Sequence, residues 1–103
     1  METAVSEKID ETVNNNRVVL FMKGTKDFPQ CGFSGRAVQM LQNLGVDFQD
    51  VNVLEDDAIR EGVKEYSDWP TIPQLYVDGE FLGGSDIMLE MYQSGELKDA
   101  VGA

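Results

Sequence analysis

Histidine is missing from this chain altogether, and cysteine occurs once, at Cys31. The first absence removes imidazole acid–base chemistry, Ser-His-Asp and Cys-His nucleophile systems, and every zinc site that uses histidine. The second excludes an intrachain disulfide and a four-cysteine site within one chain. It fits a reducing compartment better than a disulfide-stapled secreted scaffold. Basic residues are scarce as well: eight Lys and Arg stand against nineteen Asp and Glu in 103 residues, a formal charge of −11. Nucleic acid and anionic membrane surfaces both select for basic footprints, so neither is expected as a partner. No apolar run approaches the ~18 residues of a membrane span. The opening Met1–Glu7 lacks the basic and apolar regions of a secretory signal and is too acidic for a transit peptide, and a cytoplasmic location is expected.

What remains is an ordinary globular composition, 42% hydrophobic and 26% charged, enough to bury one core. Residues 1–103 read as a single domain without repeat or linker. Val5, Ile9 and Val13 recur on one helical face, and the run of three asparagines at 14–16 ends that helix. Residues 17–22, RVVLFM, are apolar without alternation, the pattern of a strand buried on both faces. A loop over 24–30 leads to a second helix after Cys31, with Ala37, Val38, Leu41 and Leu44 as its stripe and Gly45 as its stop. A second strand is expected over Val46–Val53, and a third helix over Asp56–Tyr66 with Ile59, Val63 and Tyr66 on one face. Gln74–Val77, Asp78-Gly79 and Glu80–Leu82 read as a hairpin. Ser85 and Asp86 open a last helix, with a break expected at Gly95. The order αβαβαββα gives a mixed four-stranded sheet flanked by helices. Its first two strands are parallel because a helix joins them.

Charge is segregated along the chain. Residues 17–46 hold Arg17, Lys23, Lys26 and Arg36 against Asp27 alone, a net +3, and the remainder carries −14. Cys31 lies inside this positive stretch, at the expected start of a helix. There the helix dipole and unpaired N–H groups favour the thiolate, and Lys23 can add positive charge. Flanking Pro29, Gly32 and Gly35 favour a turn over a packed core.

Four motifs in order then become recognisable: Lys23-Gly24-Thr25, Pro29-Gln30-Cys31-Gly32-Phe33-Ser34, Trp69-Pro70-Thr71-Ile72-Pro73-Gln74, and Gly83-Gly84-Ser85-Asp86. Together they resemble the monothiol glutaredoxins of the Cys-Gly-Phe-Ser type, over about residues 6–97. The resemblance implies a thioredoxin-like α/β fold, glutathione binding and a bridging [2Fe–2S] cluster with Cys31 as its protein ligand. It also implies roles in the glutathione site. Lys23 and Arg60 would meet the glycyl carboxylate. Ile72, ahead of a cis Pro73, would pair with the ligand backbone. Gly84, Ser85 and Asp86 would receive the γ-glutamyl end, and Phe33 would shield the sulfur. Thr25 and Gln30 would line the groove, while Trp69 is expected to be structural. Each residue has a use without a ligand: a surface Lys23, an Asp56–Arg60 helix pair, an edge-strand Pro73, an N-cap at Ser85.

Where some relatives carry a second cysteine this chain has Ser85, so a redox cycle would need glutathione or a partner thiol to resolve it. A [2Fe–2S] cluster takes four thiolates. One cysteine per chain then implies two chains and two glutathiones around one cluster, with Gly32 leaving room. Three functions remain open here. One is a carrier that delivers the cluster to recipient apo iron–sulfur proteins. Another is a weak enzyme that reduces protein–glutathione mixed disulfides through Cys31 alone. The last is a regulatory module sharing a cluster with a BolA-type protein.

Overall fold

The computed structural model describes residues 2–103. Helix α1, Thr3–Asn15, leads into strand β1, Val18–Met22, and helix α2, Gly32–Asn43. Strand β2, Gln49–Asn52, is followed by a short 3-10 turn at Val53–Glu55 and by helix α3, Asp57–Ser67. Strands β3, Gln74–Val77, and β4, Glu80–Gly83, form the hairpin, and helices α4, Ser85–Ser94, and α5, Glu96–Val101, complete the chain. The sheet order is β2-β1-β3-β4, with β1 parallel to β2 and antiparallel to β3, and β3 antiparallel to β4.

Every residue of β1 is buried, as its unbroken apolar run requires. Alternation sends Val18, Leu20 and Met22 into a core with α2, α4 and α5, through Ala37, Leu41, Met88 and Leu97. Val19 and Phe21 face the other way, into a core built by Ile9 and Val13 of α1 and Ile59 and Val63 of α3. One central strand thus carries two hydrophobic layers. The hairpin turns at Asp78 and Gly79 with φ of 52° and 82°, as an Asp-Gly pair permits. Gly95, at φ 87°, breaks the C-terminal helix into α4 and α5.

Two local differences from the sequence reading have clear causes. Strand β2, expected over Val46–Val53, begins only at Gln49 and ends at Asn52. The Asn52 carboxamide oxygen accepts from the backbone N–H of Leu54 at 3.0 Å and of Gly24 at 2.9 Å, which draws the chain out of the sheet into the 3-10 turn. Phe48 is buried ahead of β2, with the Lys26 ammonium 4.8 Å from its ring centroid and bonded to its carbonyl at 2.8 Å. At the start of α4 the N-cap is Gly84, without a side-chain cap, and Ser85 is the first helical residue. Its hydroxyl is directed elsewhere.

Candidate functional site

Strand β1 ends beside the N-terminus of α2, and at the same end of the sheet the chain enters β3 through Trp69–Pro73 and enters α4 through Gly84. Between these segments and α3 lies a cleft of about 380 Å³, within the range of small-ligand sites. Lys23, Cys31, Phe33, Arg60, Ile72, Pro73, Gly84, Ser85 and Asp86 all line it. The helix–loop–strand order brings them together from five separate stretches of chain. Thr25 and Gln30 are not among the lining residues. They instead build the 24–30 loop, where Thr25 and Phe28 exchange backbone bonds of 3.2 and 3.1 Å and the Gln30 N–H donates to the Lys23 carbonyl at 2.9 Å. Gly24 makes that loop possible. Its φ is 90°, and a Cβ there would lie 2.5 Å from the Phe28 carbonyl oxygen.

Cys31 is the N-cap of α2, partly exposed, and makes no side-chain cap bond. Its thiol is held below the ordinary thiol range, chiefly by the backbone N–H of Ser34. Partial burial opposes this, and the Phe33 N–H, the Lys23 charge and the Ser34 hydroxyl reinforce it. Ser34 itself is fully buried and accepts from the Lys23 backbone N–H at 3.0 Å, so it joins the end of β1 to the first turn of α2.

Arg60 has no helix partner in Asp56. The Asp56 carboxylate caps α3, accepting from the N–H groups of Ala58 and Ile59 at 3.0 and 3.3 Å, and also meets Lys8 at 3.7 Å. The Arg60 Nε is buried and has no hydrogen-bond partner. A buried charged donor left unmet is costly, and here it belongs to a residue on a ligand-sized cleft.

The loop opposite Cys31 is held from behind. Gln74 is fully buried, and its side-chain NH₂ donates to the carbonyls of Trp69 and Thr71, both at 3.2 Å. Its carbonyl accepts from the Tyr76 hydroxyl at 3.2 Å. The Ile72–Pro73 peptide is cis. Gly84 fits closely under this loop: a Cβ there would lie 3.2 Å from Trp69 Nε1 and 3.3 Å from the Pro73 carbonyl.

A glutaredoxin family model matches residues 18–82. The chain belongs to the glutaredoxin family. It is 57% identical over 97 residues to monothiol glutaredoxin-S14, chloroplastic, of Arabidopsis thaliana, covering 94% of this chain but only 56% of that protein's length. It is 58% identical over 99 residues to an uncharacterized monothiol glutaredoxin ycf64-like of Synechocystis, covering 96% and 92%. Among solved structures, the reduced apo form of poplar GrxS14 superposes with a TM-score of 0.84 at 57% identity, covering 95% and 90%. The thioredoxin-like fold with a mixed four-stranded sheet is therefore established, and the single cysteine agrees with the monothiol relatives.

The cleft of this glutaredoxin also includes residues that the sequence reading left out. Trp69, expected to be structural, lines it and is 41% exposed, while its ring also lies 6.2 Å from that of Phe81. Pro70, Thr71 and Ile87 line it too. Lys64 adds a second α3 cation, shared with Glu61 at 3.5 Å. Its signal was available, because it stands four residues after Arg60 and so falls on the same helical face.

Proposed function

We propose that this glutaredoxin binds glutathione in the cleft and carries a [2Fe–2S] cluster, held as cargo between two copies by two Cys31 and two glutathione thiolates. The carrying observation is Arg60: a buried guanidinium N–H without a partner, on a cleft that also holds Lys23 and Lys64 and opens on a thiolate-prone cysteine. Glutathione supplies carboxylates for the cations and a thiol for the metal. Lys23 and Arg60 would take the glycyl carboxylate. The Ile72 backbone would take the cysteinyl portion, and the start of α4 the γ-glutamyl end.

Among the described residues no three His, Cys, Asp or Glu side chains gather into a metal-holding group. A cluster therefore needs ligands from outside one chain, and a second Cys31 with two glutathiones completes four thiolates. The start of α2 is open at Gly32, where a Cβ would meet no atom within 4 Å outside its own chain neighbours. Phe28 and Phe33, on either side of Cys31 in sequence, are 74% and 58% exposed. They suit docking of a second copy, a BolA-type protein or a recipient apo iron–sulfur protein. A reducing compartment such as the cytoplasm would keep Cys31 available.

Anaerobic purification with an absorption spectrum, iron and sulfide counts, and sedimentation tests the reading. The expected species contains two chains, two glutathiones and one cluster, and removing glutathione releases cluster and dimer together. A cluster retained on a single chain overturns the reading.

The lowered thiol pKa also supports a second activity at the same site. The Cys31 thiolate would attack the glutathione sulfur of a protein–glutathione disulfide, and the protein thiolate would leave. A second glutathione thiolate would then attack the mixed disulfide on Cys31, releasing glutathione disulfide and restoring the thiolate. Steady turnover of a glutathionylated substrate by cluster-free protein distinguishes this reading from the carrier.

A further inference from the structure

Arg36 does not line the cleft, yet it touches three residues that do. From α2 its Nε and Nη2 both donate to the Ser85 hydroxyl, at 3.1 and 2.7 Å. Nη2 also meets the Asp86 carboxylate at 3.1 Å. The guanidinium carbon lies 5.6 Å from the Phe33 ring centroid, within reach of a cation–π contact. Arg36 thus joins the helix that presents Cys31 to the helix start that faces it across the cleft.

The hydrogen-bond arithmetic of Ser85 gives this contact its meaning. A hydroxyl has acceptor lone pairs and one proton to donate. Two guanidinium N–H groups occupy the acceptor side of Ser85, and no described hydrogen bond uses its proton. Ser85 is buried to 9% exposure and lines the cleft, so its proton is left for an acceptor held there. The positive charge behind the oxygen makes it a stronger donor. Asp86 is affected differently. An aspartate in the first turn of a helix can fold back onto the free N–H groups of that turn. Arg36 instead holds the carboxylate at 3.1 Å, with the Asp86 side chain 93% exposed, and Gly84 as N-cap has no side chain of its own to offer those N–H groups.

The geometry points to Arg36 as a positioning residue for the amino-acid end of glutathione. Through Ser85 it presents a hydroxyl donor to the γ-glutamyl carboxylate, and through Asp86 it holds an acceptor for the adjacent ammonium. This inference rests on the reading of the cleft as a glutathione site and adds a residue, 49 positions away in sequence from Ser85, that acts only through others.

Calorimetric titration of the intact chain with S-methylglutathione, which cannot react at sulfur, tests it. The second probe is the S-methyl N-butanoyl-Cys-Gly analogue, which keeps the peptide bond but lacks the γ-glutamyl carboxylate and ammonium. Arg36→Ala is expected to weaken S-methylglutathione about tenfold, or ~1.4 kcal/mol, and to leave the butanoyl analogue within about twofold. Arg36→Lys recovers part of the loss, because an ammonium reaches one acceptor without the guanidinium fork. In a Ser85→Ala background, Arg36→Ala costs much less than it does alone. Unchanged affinity in Arg36→Ala, an equal loss on both probes, or full additivity with Ser85→Ala overturns the inference while leaving the cleft reading standing. If the unsubstituted chain binds neither probe, the cleft reading falls and takes this inference with it.

Discussion

The Cys31 thiolate is stabilised mostly by backbone, and side-chain substitutions should reveal it. The rate of iodoacetamide alkylation against pH should show a midpoint below the ordinary thiol value of ~8.5. Lys23→Glu should move that midpoint up, because a supporting charge becomes an opposing one. Ser34→Ala should barely move it, since the Ser34 N–H, the largest contributor, survives and the hydroxyl is the smallest. The same substitution should still lower stability by about 1 kcal/mol in urea, because the Lys23 N–H loses its acceptor. The sign of the linkage is fixed too. A folded-state pKa below the unfolded one favours the fold when the thiol is ionised. That contribution is complete above the unfolded pKa and fades as pH falls through the folded one. Cys31→Ser should keep the fold, given the partial exposure of the site, and abolish the proposed cluster binding, because a hydroxyl is a poor iron ligand.

Helix α3 delivers Arg60 and Lys64 to the cleft, and its start depends on one side chain. Asp56→Ala should cost about 1 kcal/mol in urea unfolding through loss of the two N-cap bonds. Arg60→Glu should weaken glutathione binding more than Arg60→Gln does, since reversal adds repulsion to a lost contact, and calorimetry separates the two. Much of this layer was legible in the sequence. The face of α1, the doubly buried β1, the Asp-Gly hairpin and the break at Gly95 each follow from local pattern. Most of the expected cleft residues were legible within motifs, with Cys31 placed at a helix N-terminus by its neighbours alone, whereas Lys64 and Ile87 lie outside every motif. The remaining features arise from contacts between distant segments. Strand β2 ends at Asn52 because that side chain accepts from the N–H of Gly24, just past the end of the neighbouring strand β1 but distant in sequence. Trp69 reaches the cleft because of how its loop lies on Gln74. The Arg36–Ser85 bond joins two helices that no periodicity connects.

Across the whole molecule, the cleft sits where two differently packed layers meet. Helices α2 and α4 come from one hydrophobic layer and α3 from the other, so the site requires both layers to be folded. The charge of −11 works against pairing of two copies, whereas the cations on the cleft favour an anionic ligand. Added salt should therefore have opposite effects on the two steps. Glutathione affinity should fall by calorimetry, while the proposed cluster-bridged pairing at saturating glutathione should strengthen by sedimentation. The buried Gln74 carries one more consequence, and it concerns time. Its carboxamide ties the Trp69–Pro73 loop to the first residue of a central strand, so this wall of the cleft should open less readily than a free surface loop. Its amide protons should exchange with solvent only when the loop and β3 open together. In a deuterium-exchange NMR series, the side-chain NH₂ of Gln74 should persist long after those of the exposed Gln39, Gln42 and Gln49 have vanished, and its decay should keep pace with the slowest backbone amides of the sheet.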